Sequence, residues 1–132
     1  MRLKIYLVED NAVIRDNLAA SMEELVHAKV VGSATTEAEA TSWLRAHPDE
    51  WDLAVVDLFL LQGNGLGVLN SFRERRPDQK MVVFTNYATP VMRERCLAWG
   101  ANAVFDKSNE IDAFMKYAVD AAAARSHATG LV

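Results

Sequence analysis

Five apolar runs of strand length punctuate the chain: Leu3 to Val8, Lys29 to Ser33, Leu53 to Val56, Met81 to Phe84 and Ala103 to Phe105. They are rich in Val, Leu and Ile, the pattern of strands covered on both faces. Between and after them the apolar positions switch to helical spacing. Ile14, Leu18, Met22 and Leu25 form one stripe, followed by Ala40, Trp43 and Leu44, by Val68, Leu69 and Phe72, and by Met92, Cys96 and Trp99. Ile111, Phe114, Met115, Ala118, Val119 and Ala122 fall at i, i+3, i+4, i+7, i+8 and i+11 and predict one buried side of a final helix. Thr36 with Glu39 reads as a capping box, Thr89 before Pro90 as a cap and first helical residue, and Pro48 and Pro77 as the stops of the second and third helices.

Strand and helix therefore alternate along the chain, which predicts one parallel sheet with helices on both faces, joined by right-handed crossovers. In such sheets ligands bind beyond the carboxyl ends of the strands, where the strand order reverses. The residues there are Glu9 and Asp10 after the first strand, Asp57 after the third, Thr85 after the fourth and Lys107 after the fifth. The second strand ends in uncharged Ser33, Ala34 and Thr35. An order of 2-1-3-4-5 would gather the charged ends at one rim and leave the second strand at the edge.

Carboxylates gathered there would repel one another by roughly 3 to 4 kcal/mol per pair, at 4 to 5 Å and an effective dielectric near 20. Lys107 can offset one charge, and the remainder suits a hard divalent ion such as Mg²⁺, which leaves coordination positions for phosphate oxygens. Acids, a metal, a hydroxyl and an ammonium are the parts of phosphoryl transfer to a carboxylate. Taken alone, Glu9 and Asp10 read equally well as acids at a helix start. Asp57 is the least ordinary of the set, a lone acid inside the apolar run "LAVVDLFLL".

Composition narrows the picture further. The 132 residues, 51% hydrophobic and 24% charged, fit a single domain, expected over residues 1–124, with 125–132 as a short polar tail. A net charge of −4 and scattered basic residues argue against direct nucleic-acid binding, and the Arg73, Arg75, Arg76 group reads as a solvated helix end. One cysteine, Cys96, excludes an internal disulfide and a cysteine-based zinc site; it reads as a small buried residue. His27, His47 and His127 lack partners at ligand spacing and read as surface or helix-end residues. No stretch has the length and apolarity of a membrane span or a signal peptide, so the expectation is a cytoplasmic protein.

Taken together, "VED", "VVDLFLLQGNGLGVL", "VVFTNYA" and "GANAVFDKS" resemble the signature segments of CheY-like response-regulator receiver domains, and the match covers nearly the whole chain. The resemblance implies a flavodoxin-like (βα)5 fold with the same 2-1-3-4-5 order. It implies that Asp57 accepts a phosphoryl group from a sensor histidine kinase or phosphotransfer protein. Asp10, Asp57 and the backbone carbonyl of Phe59 would ligate Mg²⁺, with Glu9 acting mainly through a metal-bound water. Lys107 and the Thr85 hydroxyl would grip the phosphoryl oxygens, and a face made of helix four, strand five and helix five would carry the output to an effector or, on phosphorylation, to a second copy of the chain.

Departures from the family pattern carry information of their own. Val104 stands three residues before the lysine, where a switch aromatic is usual, so either the output surface differs or another group reports the state. Ser108 follows Lys107 where Pro is frequent, Asn86 is bulkier than the usual Ala or Gly and would narrow access for phosphodonors, and Glu9 replaces a frequent Asp. Phe59 and Tyr87 flank the path of the hydrolytic water in this family, and their bulk implies slow autodephosphorylation; the alternative is that they are incidental surface aromatics.

A haloacid-dehalogenase-type phosphatase would need an acid where Phe59 stands, and the glycines of "GNGLG" follow the third strand rather than the first, unlike a dinucleotide fingerprint. The expectation is thus a signalling phosphoacceptor rather than an enzyme acting on a separate substrate. Within the family two versions stay open. "DLFLLQGNGLGVL" resembles receivers that precede helix-turn-helix effectors in transcription regulators, whereas "FDKS" and the short tail resemble stand-alone receivers. A phosphorylation-independent relative is disfavoured because every catalytic position is filled.

Overall fold

The computed structural model describes residues 2–130, with side chains through Arg125. The elements run in the order β1 (Lys4–Val8), α1 (Ala12–Leu25), β2 (Lys29–Ala34), α2 (Glu37–Ala46), β3 (Leu53–Val56), α3 (Gly65–Ser71), β4 (Lys80–Thr85), α4 (Pro90–Ala98), β5 (Ala103–Asp106) and α5 (Ile111–Gly130). The strands form one sheet in the order β2-β1-β3-β4-β5, every pair parallel, as the gathering of charged strand ends requires.

Alternate residues of the central strands feed two apolar layers. Tyr6, Val8, Ala54, Val56, Met81 and Val83 pack under α2, α3 and α4 against Ala40, Leu44, Val68, Leu69 and Cys96. Ile5, Leu7, Leu53, Val55, Val82 and Phe84 pack under α1 and α5 against Met22, Val26, Phe114 and Ala118. Both faces of the strands are buried, which is why these runs are apolar throughout.

The caps at Thr36 and Thr89 are as the sequence predicts, each hydroxyl accepting from the backbone N–H three residues on. Other positions differ. Leu25 is exposed, and the inward place falls to Val26, because α1 ends there and His27 turns the chain through the left-handed region (φ 59°) into β2. On α5, Ile111 and Val119 are exposed, and the buried side is rotated toward Tyr117 and Ala121. The cause is aromatic: Phe105 of β5 meets Phe114 and Tyr117 edge to face, and this contact sets the helix orientation. Trp99 is likewise exposed.

Pro48 follows the end of α2 directly, but α3 stops at Ser71, well ahead of Pro77. Arg75 is no solvated helix end. Its guanidinium donates to the carbonyls of Phe72, Gln79 and Gly100 and to the Asn102 side chain, tying the end of α3 to the loop before β5. The segment expected to fade into a polar tail continues as helix to Gly130; Leu131, Val132 and the side chain of His127 lie outside the described residues. Among the described residues no helix is long and apolar enough to cross a membrane.

Candidate functional site

The sheet delivers its strand ends to one rim. The Glu9 N–H donates to the Ala34 carbonyl and the Asp57 N–H to the Val8 carbonyl, so each acid leaves its strand in register with a neighbour. Neither Glu9 nor Asp10 caps α1. That place belongs to Asn11, whose side chain accepts from the Ile14 N–H at 3.0 Å, and no acid lies in the first turn. Neither acid is thus the cap itself; Glu9 Oε2 accepts from the Asn11 N–H at 3.2 Å just ahead of the helix, and its other oxygen faces the rim.

One carboxylate oxygen from each of Glu9, Asp10 and Asp57 lies within 4.8 Å of the others. Lys107, just past β5, reaches across the rim: its ammonium donates to Asp57 Oδ2 at 2.8 Å and to Glu9 Oε1. Its side chain is 9% exposed, against 8% for Glu9 and 11% for Asp57, while Asp10 is open to solvent. The other Asp57 oxygen accepts from the Leu58 N–H at 2.7 Å, which fixes the plane of the carboxylate.

Burial pushes the Glu9 carboxyl above its ordinary pKa, only partly offset by its hydrogen bond to Lys107. Burial opposes the Lys107 charge too, but the hydrogen bonds it donates to Asp57 and Glu9 outweigh that and raise its pKa. Three carboxylates against one ammonium leave two negative charges, the charge of one divalent cation. An octahedral ion at about 2.1 Å from its ligands separates their oxygens by about 3 to 4 Å, which this cluster meets with a small closure. The residues present therefore fit a hard, oxygen-liganded ion.

Thr85 ends β4 at the same rim and is fully buried, but its hydroxyl accepts from the Tyr87 N–H (3.3 Å) in its own loop. The Lys107 N–H donates to the Thr85 carbonyl, so the two loops stay adjacent. Asn86 and Ser108 meet across them at 3.3 Å. The Phe59 and Tyr87 rings, each 53% exposed, touch with centroids 4.3 Å apart. Val104 is buried against the α4 layer, and no cis peptide occurs among the described residues, at Ser108 or elsewhere.

The chain matches the response regulator receiver domain over residues 5–119. It belongs to that family. As a receiver domain it is part of two-component signalling. It is similar to the photosynthetic apparatus regulatory protein RegA of Cereibacter sphaeroides, 36% identical over 110 residues that make up 81% of this chain and 58% of RegA. It is also similar to the DNA-binding transcriptional activator DevR/DosR of Mycobacterium tuberculosis, 32% identical over 66% of this chain and 39% of that protein. The receiver domain thus spans about half the length of the curated relatives it matches. In fold it resembles the BeF3-activated DrrB receiver domain, with a TM-score of 0.75 at 17% identity over 92% of this chain and 97% of that one. CheY in the CheX–CheY–BeF3–Mg²⁺ complex from Borrelia burgdorferi gives 0.74 at 15% identity over 87% and 88% of the two chains.

Sequence reasoning missed the supports of the receiver site. Glu37 opens α2, yet its carboxylate accepts from the Asn64 N–H at 3.0 Å and lies where a side chain on Gly63 or Gly67 would stand. With Glu37 N–H on the Gln62 carbonyl and Leu61 N–H on the Thr35 carbonyl, it clasps the loop that leaves Asp57. Gly65 begins α3 so close to that loop that a Cβ would stand 2.3 Å from the Asp57 carbonyl oxygen. Gly65→Ala must therefore shift backbone at the rim. A loss of about 1 to 3 kcal/mol in urea unfolding is expected, together with weaker Mg²⁺ binding; unchanged stability would show that the loop yields freely.

Proposed function

We propose that Asp57 accepts a phosphoryl group from a phosphohistidine on a sensor histidine kinase or phosphotransfer protein. Glu9, Asp10, Asp57 and the backbone carbonyl of Phe59 would hold Mg²⁺, Glu9 mainly through water. The observation that carries this reading is the convergence of three carboxylates with the ammonium of Lys107. A bound Mg²⁺ would supply charge neutralisation for the transferring phosphoryl oxygens.

The chain's own residues do the rest. A carboxylate oxygen of Asp57 attacks phosphorus as the bond to the donor imidazole breaks, and the imidazole leaves neutral once its free nitrogen keeps the proton. Leu58 N–H and Lys107 hold the Asp57 carboxylate while the attack occurs. Lys107 then transfers its hydrogen bond to a phosphoryl oxygen, and Thr85 releases the Tyr87 N–H and donates its hydroxyl to another. Its loop follows. The surface of α4, β5 and α5 reads out the change, toward an effector or a second phosphorylated copy.

A second version has the receiver controlling a DNA-binding domain further along a longer protein, favoured by the greater length of RegA and DevR/DosR and by the latter's name. The phosphoacceptor step is the same in both. Acetyl phosphate or phosphoramidate with Mg²⁺ is expected to add one phosphoryl mass to the protein, lost in Asp57→Asn and in EDTA. No gain from either donor, or from a phosphorylated histidine kinase, would refute the assignment.

A further inference from the structure

In this receiver the place of a switch aromatic is held by Val104, whose short side chain is packed against α4 and cannot swing to report the position of Thr85. Some other group must link the Thr85 loop to the output face if Thr85 is to be read there. One side chain makes that link. Arg93, in the first turn of α4, donates from Nε to the Ala88 carbonyl (2.9 Å) and from Nη1 to the Val104 carbonyl (3.2 Å), and its Nη2 pairs with Glu110 Oε1.

The Glu110 oxygen that meets Arg93 also accepts from the Asp106 N–H at 3.0 Å. The Asp106 carboxylate in turn accepts from Ser108 N–H and Asn109 N–H, closing the turn that presents Lys107. Three segments thus meet on one guanidinium: the loop that carries Thr85, the strand β5, and the turn that carries Lys107 into α5. These are the two phosphoryl-gripping residues and the two helices of the output face.

The clamp is the right strength for a switch. Arg93 and Glu110 are 34% and 35% exposed, so water competes for the pair and the clamp is weaker than a buried one. It is also planar and directional, so moving the Ala88 carbonyl breaks one bond cleanly rather than stretching it. When the Thr85 hydroxyl leaves the Tyr87 N–H for a phosphoryl oxygen, the segment Asn86–Ala88 is drawn toward the site, away from Arg93 Nε.

We infer that Arg93 is the positioning residue that couples Thr85 to the α4–β5–α5 face: with Glu110 it clamps the Thr85 loop in its resting place, and its release on phosphorylation frees the first turn of α4 and the start of α5. This rests on the phosphoacceptor reading of Asp57. The clamp opposes the activated state, so removing it makes activation easier while disconnecting β5 and α5 from it.

The test uses Arg93→Gln and Glu110→Gln, the second of which keeps an acceptor for the Asp106 N–H while removing the charge that faces Arg93. Beryllium fluoride with Mg²⁺, a stable stand-in for the phosphoryl group, is titrated and followed by amide NMR. In the parent, the amides of Ala88, Val104 and Glu110 are expected to shift together. In either variant Ala88 still shifts, whereas Val104 and residue 110 already lie away from the parent's resting positions before beryllium fluoride is added and shift little on titration, and the affinity for beryllium fluoride rises several-fold. Parent-like shifts at Val104 and Glu110, or an unchanged or weaker affinity, would overturn the inference; should Arg93→Gln fail to fold, Glu110→Gln decides alone. Intact mass after acetyl phosphate separates the two levels: a parent that gains no phosphoryl mass overturns the Asp57 assignment, while a parent that gains it with parent-like variants overturns only the role of Arg93.

Discussion

Lys107→Ala is expected to destabilise the Mg²⁺-free domain by about 3 kcal/mol at pH 7, because it strips the cation from two nearly buried carboxylates. Glu9 and Asp57 share the Lys107 ammonium, and Asp10 adds a third negative charge within reach. The deficit has a definite pH dependence. Burial already holds the Glu9 carboxyl above its ordinary 4.5, and loss of Lys107 raises it further. A folded-state pKa above the unfolded one means stability that is complete below 4.5 and lost as pH rises through the raised value. The variant's deficit is therefore small near pH 4.5 and grows toward neutrality.

At the alkaline end the sign comes from Lys107 itself. Its raised pKa gives the parent stability that is complete below the ordinary 10.5 and lost above it, so parent and variant converge again there. Mg²⁺ at neutral pH should narrow the gap, since the variant's rim carries one more net negative charge, binds the cation more tightly and so gains more from RT ln(1 + [L]/Kd). Urea midpoints at pH 5 and pH 7, with EDTA and with Mg²⁺, check all of this. Equal midpoints at pH 7 in EDTA would mean that the rim tolerates its acids without the ammonium. The variant should also lose the beryllium fluoride response, as the charge-assisted contact to the phosphoryl oxygens is gone.

The central strands β1, β3 and β4 were legible because both of their faces are buried, so each reads as a nearly unbroken apolar run, whereas β2 at the sheet edge exposes Lys29 and Ser33. Glu9, Asp10, Asp57, Thr85 and Lys107 could all be picked from the ends of the apolar runs before any coordinates, and four of them converge as expected. The exception in detail is Thr85, placed at the rim but with its hydroxyl held in its own loop. Helix faces were less legible where tertiary packing overrides a stripe. Ile111 and Val119 obey helical spacing, yet the ring of Phe105 draws Tyr117 inward instead.

The long-range polar supports were not legible at all. Arg93 and Glu110, Glu37 and Asn64, and Arg75 and Asn102 are pairs of ordinary surface types far apart in sequence, and no local period marks one for the other. Only topology brings them together. Arg75 shows the cost of reading charge locally, since a cluster that looks solvated contains the guanidinium that fastens three carbonyls.

Phe59→Asn combined with Tyr87→Ala is expected to shorten the lifetime of phosphoryl-Asp57 at least tenfold, a change of about 1.4 kcal/mol in the barrier. Phe59 lies two residues beyond Asp57 and Tyr87 two beyond Thr85, so their joined rings stand between the two loops that would border a phosphoryl group on Asp57. Water that hydrolyses it must approach phosphorus opposite the Asp57 oxygen, and two apolar edges neither admit it readily nor offer an acceptor to orient it. The rings support each other, so each single substitution should accelerate decay less than half as much on a logarithmic scale. Decay of the phosphorylated mass after donor removal measures it. The parent should keep its phosphoryl group for many minutes or longer; a parent lifetime of seconds, or a double variant no faster than the parent, would leave the two rings as exposed aromatics with no hold on the water.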